Sequence, residues 1–497
     1  MKEMRYCLTS ALLLVGGFWS AGASATENLG FMTLSGYLRE DLSMNLDKVP
    51  EASKSYNFDP SMNRQTMFLE AFAPVGDTRW TGRFRYDHEF LTPYEHQLED
   101  QASSIVGQHV DFLKQYEPQS VGDVVRELFV DYDFGRISTR MGRQQVVWGE
   151  TDFFHATDVI HGYDFRWRSF LEPANEDVRK PLTMVNVTAD LRELNGKLQL
   201  LVRPPGIDRD SQIGNSDPTF GGRWSNYFAK GVPLGAVNDP SLANYNYHWK
   251  YGNVDDADYG ARWAGSAGPG DAINYSLSYY HGQSGFMQDP ILIYVPTAKT
   301  PLPLQFVFPT TDTYGASATG YIGPIDSVYR AEVAYTPHRR LATDPGLLVE
   351  RNGYNFVTGL DHTLRLQDYI GTSSPSLFTV QAFDWYLPGT KASQQIVRFD
   401  GAGFWAQHNV YASVILQLPY FHDNLTVTLV GLQDLTWGGS MFIPSAEYAM
   451  GEHWRIKAEL DLPMGGKTGN DAIGQNASTF GAFDHNAQLL LRTTFLF

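Results

Sequence analysis

From Trp454 to Leu462 the chain alternates strictly: Trp454, Ile456, Ala458, Leu460 and Leu462 share one face, and Arg455, Lys457, Glu459 and Asp461 share the other. Successive side chains of a strand point to opposite faces, so this segment is a strand with oil on one side and water on the other. The pattern recurs. Arg83, Arg85, Asp87 and Glu89 oppose Phe84, Tyr86 and Phe90; Glu127, Asp131 and Asp133 oppose Leu128, Val130, Tyr132 and Phe134; Arg330 and Glu332 oppose Tyr329, Ala331, Val333 and Tyr335. One such strand would suit a half-buried soluble sheet. Their number, with little helical periodicity between them, points to an all-β fold: a single transmembrane antiparallel β-barrel with lipid-facing and lumen-facing residues in alternation.

Composition agrees with that reading. Charged residues make up 19% of the chain, against roughly 25% in ordinary globular proteins, while aromatics reach 14%. Mean hydropathy is -0.29, and no long apolar run follows the N-terminal one, which excludes a helical membrane protein. The net charge of -17 disfavours nucleic acid as a partner. It suits acidic surface loops among outer-membrane lipids, bridged by divalent cations.

The two ends supply an address. Lys2 and Arg5 precede an apolar stretch from Leu8 to Trp19 and the small residues Ala23-Ser24-Ala25. This predicts a cleaved signal peptide over residues 1–25 and a barrel over 26–497. Cys7 lies in the signal, so the mature chain is expected to hold no disulfide and no thiolate site. At the other end Ala487, Leu489, Leu491, Thr493, Phe495 and Phe497 share one face and the chain stops on an aromatic residue. A terminal Phe resembles the signal read by the barrel-assembly machinery, which makes that machinery an expected partner through Phe497. A first strand is expected from Phe31 to Leu46, which would leave no room for an N-terminal plug domain.

The connections sort into short and long. Short turns are expected at Pro74 to Thr78, Gly135-Arg136, Glu193 to Gly196, Gly265 to Asp271, His422 to Asn424 and Gly451 to His453. Long loops are expected from Leu91 to Gly122, Glu150 to Lys180, Pro204 to Asp255, Gln283 to Asp326 and Met464 to His485. The two classes fit periplasmic turns and extracellular loops. With this assignment Leu377 to Tyr386 and Tyr411 to Tyr420 both run toward the turn side, so a strand is required between them. Gln394 to Phe404 is the candidate, giving about eighteen strands, with fourteen as the lower bound.

The most distinctive stretch is Met141-Gly142-Arg143-Gln144-Gln145-Val146-Val147-Trp148-Gly149-Glu150, followed by Asp158-Val159-Ile160, Asp164, Arg166 and Lys180-Pro181-Leu182. It resembles the domain of unknown function 1302 family of outer-membrane β-barrel proteins, whose hallmark is a Gly-Arg-Gln strand running into Trp-Gly-Glu. The resemblance implies movement of lipids or hydrophobic compounds through the envelope, with a soluble periplasmic partner and an inner-membrane exporter.

The loop after Trp148 either folds outward as a cap or inward across the lumen, with Gly149 permitting the turn. Inward, Glu150, Asp152 and Asp158 would face Arg143, Arg166, Arg168 and Arg179 and filter solutes by size and charge; alternatively these charges only lock the loop. Arg83, Arg85, Asp87, Glu89, Glu127, Asp131, Asp133, Arg455, Lys457, Glu459 and Asp461 complete the pore-lining candidates. No Gly-x-Ser-x-Gly elbow occurs, and His155 and His161 lack metal-ligand spacing, so neither enzyme activity, a metal nor a cofactor is expected. Two readings stay open. The first is a porin-like channel passing small, hydrophobic compounds; the second is a non-conducting barrel that docks partners of a lipid-transport system.

Overall fold

In the computed structural model the described residues are 27–47, 58–106, 109, 111, 113–118, 120–151, 154–163, 175–208, 227–229, 232–233, 257–283, 291–294, 304–307, 309–343, 347–396, 404–466, 468–470, 475–476, 478–480, 483 and 486–497. The signal expected at residues 1–25 lies outside them, as do Asp152, Arg166 and Arg168.

The main sheet has 19 strands, one of which is the two-residue ladder Glu27–Asn28. The other eighteen (19 minus 1) form the barrel wall. In chain order they are β1 (Thr33–Asn45), β2 (Pro60–Val75), β3 (Thr78–Glu89), β4 (Val125–Phe134), β5 (Ile137–Gln144), β6 (Leu182–Leu191), β7 (Gly196–Arg203), β8 (Asp258–Ala267) and β9 (Ile273–Gln283). They continue as β10 (Thr310–Ile322), β11 (Ser327–Ala342), β12 (Leu348–Leu364), β13 (Ser376–Tyr386), β14 (His408–Tyr420), β15 (Leu425–Asp434), β16 (Gly438–Met450), β17 (Trp454–Gly466) and β18 (Gln488–Leu496). Each pairs antiparallel with the next, and β18 pairs with β1, Tyr37 opposite Leu496. Closure leaves no open edge in the wall. Phe497 extends the seam by one residue: Gly36 N–H donates to Phe497 O at 2.9 Å and Phe497 N–H to Gly36 O at 3.0 Å.

The outer face is apolar. Leu277 (56% exposed), Met67, Leu128, Met141, Phe356, Val414, Phe442, Ile456 and Leu491 all point away from the barrel axis with no protein over them, as a lipid-facing belt requires. Toward the loop end the belt is rimmed by tyrosines on successive strands: Tyr279 pairs with Tyr314, Tyr314 with Tyr335, Tyr335 with Tyr354 and Tyr354 with Tyr386, their rings 4.8–6.3 Å apart. Trp80, Tyr132, Trp454 and Phe495 rim the turn end. Amphipathic rings of this kind settle at membrane–water interfaces.

All six expected short turns lie at one end of the barrel, where Gly135 and Gly451 adopt left-handed φ angles of 60° and 66°. The long connections lie at the other end. Two expectations are corrected. The span Gln283 to Asp326 is not one loop: it holds a hairpin, Ile291–Tyr294 with Leu304–Val307, and the wall strand β10. Conversely, Gln394 to Phe404 does not supply a wall strand. Ala392–Gln394 is a 3-10 turn, Ile396 makes a single bridge to Thr343, and β13 pairs directly with β14. The two errors cancel in the count, because one missed strand inverted the direction of everything between it and the invented one.

The loop after β3 carries a helix that alternation could not announce, α1 (Pro93–Val106). Thr92 and Glu95 cap it reciprocally, Thr92 N–H donating to the Glu95 carboxylate at 2.8 Å and Glu95 N–H to Thr92 Oγ1 at 3.2 Å. Pro93 opens it, where a missing N–H costs nothing.

Candidate functional site

The segment that leaves β5 does not stay at the rim. A barrel of this width has an interior large enough to admit a loop, and the sequence around Gly142 to Glu150 steers one inward. Gly142 has a φ of 126°, and a Cβ there would stand 2.2 Å from Leu128 O, so only glycine lets β5 approach β4 this closely. Gln144, fully buried, reaches across to β6 and donates to Met184 O at 3.0 Å. Beyond it the chain turns over the lumen face of the wall. Trp148 is 1% exposed; its Nε1 donates to Gln199 Oε1 of β7 at 2.8 Å and its ring meets Tyr280 of β9 edge-on at 6.1 Å. Val146, Val159, Ile160, Leu182, Met184 and Leu201 pack with these rings. Truncating a ring buried this well ordinarily costs about 3–5 kcal/mol.

The loop then reaches the opposite wall. Glu332 of β11, which shares its lumen-facing row with Ser317 and Val357, is buried and accepts from Ala156 N–H at 3.2 Å, Thr157 N–H at 3.0 Å and Thr157 Oγ1 at 2.8 Å. Glu150 N–H donates to the same carboxylate. Glu150 itself sits beside Arg262 of β8 at 3.5 Å and takes the hydroxyl of Thr319 of β10, while Arg330 Nη1 of β11 donates to Glu150 O at 2.7 Å. Phe154 stacks on Phe383 of β13 at 5.2 Å and leans on Tyr411 of β14 at 5.3 Å.

On its return the loop is tied to the near wall. Asp177, in the short helical turn Asn175–Val178, lies 3.1 Å from Arg39 of β1 and 3.9 Å from Arg85 of β3. Arg126 of β4 donates to Arg179 O at 2.6 Å. The two limbs are joined inside the lumen by the buried pair Asp158–Arg179 at 2.6 Å, with Tyr163 Oη donating to Asp158 at 2.8 Å. Burial opposes ionisation of Asp158, but the adjacent Arg179 guanidinium overcomes it and holds the carboxyl below the ordinary range. His161 clasps the base. Val146 N–H donates to its Nε2 at 2.8 Å, so Nδ1 carries the proton it gives to Lys180 O at 2.8 Å. Burial and the Arg179 charge depress His161 to about 4, so the ring is neutral at neutral pH.

The lumen has two unlike walls. Around the closing seam, β17 to β4, it is charged and cross-linked. Arg492 meets Asp41 at 2.6 Å, Arg64 meets Asp87 at 3.0 Å, Arg85 meets Asp87 at 3.0 Å, and Lys457 meets Glu459 at 2.6 Å. Arg83 bridges Glu70 at 2.8 Å and Glu127 at 3.0 Å. Glu89 and Asp461 are buried on the same lining. Next to it round the wall, β12 to β16 turn Val357, Phe383, Trp385, Tyr411, Leu432, Met441 and Ile443 inward, packed with Phe154, Trp405 and Phe480 from three loops.

The expected site residues are thus divided. Asp158 and Arg179 meet as a pair, whereas Glu150 is held by Arg262 and Arg330, which the sequence reading had not linked to it. Arg143 lies opposite Leu128 on the outward side, its Nη1 donating to Gly122 O at 2.9 Å, because the tight register at Gly142 fixes which face it shares. Asp131 is bidentate with Arg140 at 2.7 and 3.0 Å, and Asp133 pairs with Arg79 at the turn end at 2.7 Å. Arg455 also sits at the turn end, bonded to Gly451 O at 3.1 Å. Glu332 was visible in the Tyr329 to Tyr335 alternation, though nothing local told it apart from other lumen carboxylates. Among the described residues no group of three or more His, Cys, Asp or Glu is placed to hold a metal ion.

Among solved structures, the chain is similar to OccAB2 of Acinetobacter baumannii, at 9% identity over 94% of this chain and 98% of that one, with a TM-score of 0.47. It is also similar to OccAB3 of the same organism, at 10% identity over 94% and 99%, TM-score 0.45, and to Salmonella typhi OmpF in complex with daunomycin, at 9% identity over 95% and 100%, TM-score 0.40. No curated protein sequence matches it. The profile of the family described as "Protein of unknown function (DUF1302)" matches residues 27–402, well over half of the chain, and the protein belongs to that family.

Proposed function

We propose that the protein is an outer-membrane channel in which the loop between β5 and β6 constricts the lumen, and that it passes small, partly hydrophobic solutes between a charged wall and an aromatic one. The observation that carries this is the path of that loop, which contacts β7 to β9 on leaving, β11 to β14 at its far point and β1 to β4 on returning. A chain spanning the bore sets both the size and the charge of what can pass. The belt and the two aromatic rims support a membrane-spanning position, and β1 begins and β18 ends at the turn end, which in this reading is the periplasmic side. Glu150, Arg83 and Glu70, whose side chains are 34–39% exposed, are then the groups that meet a permeating solute, while the buried Glu127, Asp158 and Arg179 and the buried seam pairs fix the walls around them.

Purified protein in planar bilayers is expected to give stepwise conductance. Replacing residues 150–178 with a short Gly-Ser linker is expected to raise the step size several-fold. Steps of unchanged size in the shortened variant would remove the loop from the pore.

A second reading has one specific observation in its favour. The aromatic packing of Phe154, Phe383, Trp385, Trp405 and Phe480 fills one sector of the lumen as a protein core does, which suits a plugged barrel that docks a periplasmic partner instead of conducting. Absence of conductance from both proteins, with a soluble envelope protein retained on the purified barrel, would favour it. Recognition by the assembly machinery through Phe497 belongs to either reading.

A further inference from the structure

Wide barrels ordinarily present polar side chains to their lumen. Here adjacent strands present Phe383, Trp385 and Tyr411 inward, each at most 1% exposed. They form a pocket that is held together without the ring now filling it. Trp385 meets Trp405 edge-on at 5.4 Å and Tyr411 at 5.4 Å; Phe480 closes on Tyr411 at 6.1 Å; and Tyr411 Oη is bonded to Thr479 Oγ1 at 2.9 Å. Phe154 enters this frame as a separate peg, face to face with Phe383, with ring planes 23° apart.

The loop is not held by that peg alone. Among its polar attachments is the one to Glu332, on a different strand, through the N–H groups of Glu150, Ala156 and Thr157. Glu332 pairs in register with Val357, Val357 with Phe383, and Phe383 with Tyr411, so the carboxylate and the pocket lie in one lateral row. Two strand spacings separate Glu332 from Phe383, roughly 10 Å. When the loop withdraws, an aromatic slot and a carboxylate seeking donors are left side by side at that span.

We propose that this slot is a solute-binding site for a flat apolar ring carrying a hydroxyl or amine donor at its edge, and that Phe154 occupies it as an internal stand-in for that ring. The substrate class rests on the channel reading above; the binding itself does not. A solute that takes the slot displaces Phe154 and competes with the loop for Glu332, so binding and opening of the constriction are the same event.

The test uses the full-length protein in detergent micelles and 2-naphthol as the probe, read by titration calorimetry. Phe154→Ala removes the internal competitor and is expected to tighten 2-naphthol binding at least about tenfold, because the site no longer has to be vacated first. Phe154→Leu is expected to give a smaller gain in the same direction and serves if the alanine variant folds poorly. Adding Phe383→Ala to Phe154→Ala is expected to abolish the gain. Variants that fold as barrels by circular dichroism yet bind 2-naphthol no better than the parent overturn the proposal, as does a gain that survives Phe383→Ala. Conductance of the same preparations separates the two readings: conducting protein without the gain defeats only the slot, and the gain without conductance defeats only the channel.

Discussion

Glu332 shows how one side chain on the wall decides where a loop goes. It is 4% exposed, and its two oxygens accept from three backbone N–H groups and two hydroxyls of a segment more than 170 residues away in sequence. Hydrogen bonds to a charged group contribute about 1.5–3 kcal/mol each, so the set outweighs any single contact of Phe154. Glu332→Gln keeps the volume but turns an NH2 group toward N–H donors. The loop is therefore expected to undock while the wall stays intact, seen as new trypsin cleavage at Arg179 or Lys180 with unchanged barrel circular dichroism. A loop that stays protected in this variant would mean that its other polar and aromatic contacts hold it without the carboxylate.

At the scale of elements, the inward loop is closed by a titratable clasp. His161 joins the outgoing limb at Val146 to the returning limb at Lys180, and its depressed value of about 4 compares with an ordinary 6.5. The undocked loop therefore takes up a proton first. Docking is at full strength above about pH 6.5 and weakens as pH falls toward 4, by about 3 kcal/mol in all for a shift of this size. Protease sensitivity of residues 145–181 is expected to rise between pH 6.5 and 4.5 and to lose that dependence in His161→Asn; a flat profile in the parent would remove the clasp. The loop's landing place could not be read locally. Trp148 and the charges around it mark a structured segment, but the partners that receive it stand on β7 to β14, brought opposite only by closure of the barrel.

Over the whole molecule the wall obeys one rule, and β10 shows where that rule is hard to read. Its outward residues include Ala316 and Ala318, small enough to leave no hydrophobic alternation, yet Ala316 lies in register between Leu277 and Val333 on the belt. Ala316→Arg is expected to destabilise the barrel by about 2–4 kcal/mol, measured by denaturant unfolding from lipid vesicles; no cost would place that position off the lipid face. The sequence by itself determined the barrel, six of its short turns, its family-marked loop after the fifth strand and the inward side of each well-patterned strand, because alternation and turn chemistry act between neighbours a few residues apart. Only the tertiary structure decided that the lumen is charged around the closing seam and aromatic along β12 to β16, that Arg143 faces out, and that the loop crosses to Glu332. Those outcomes depend on which strands closure sets face to face across the bore, a distance over which the sequence carries no local signal.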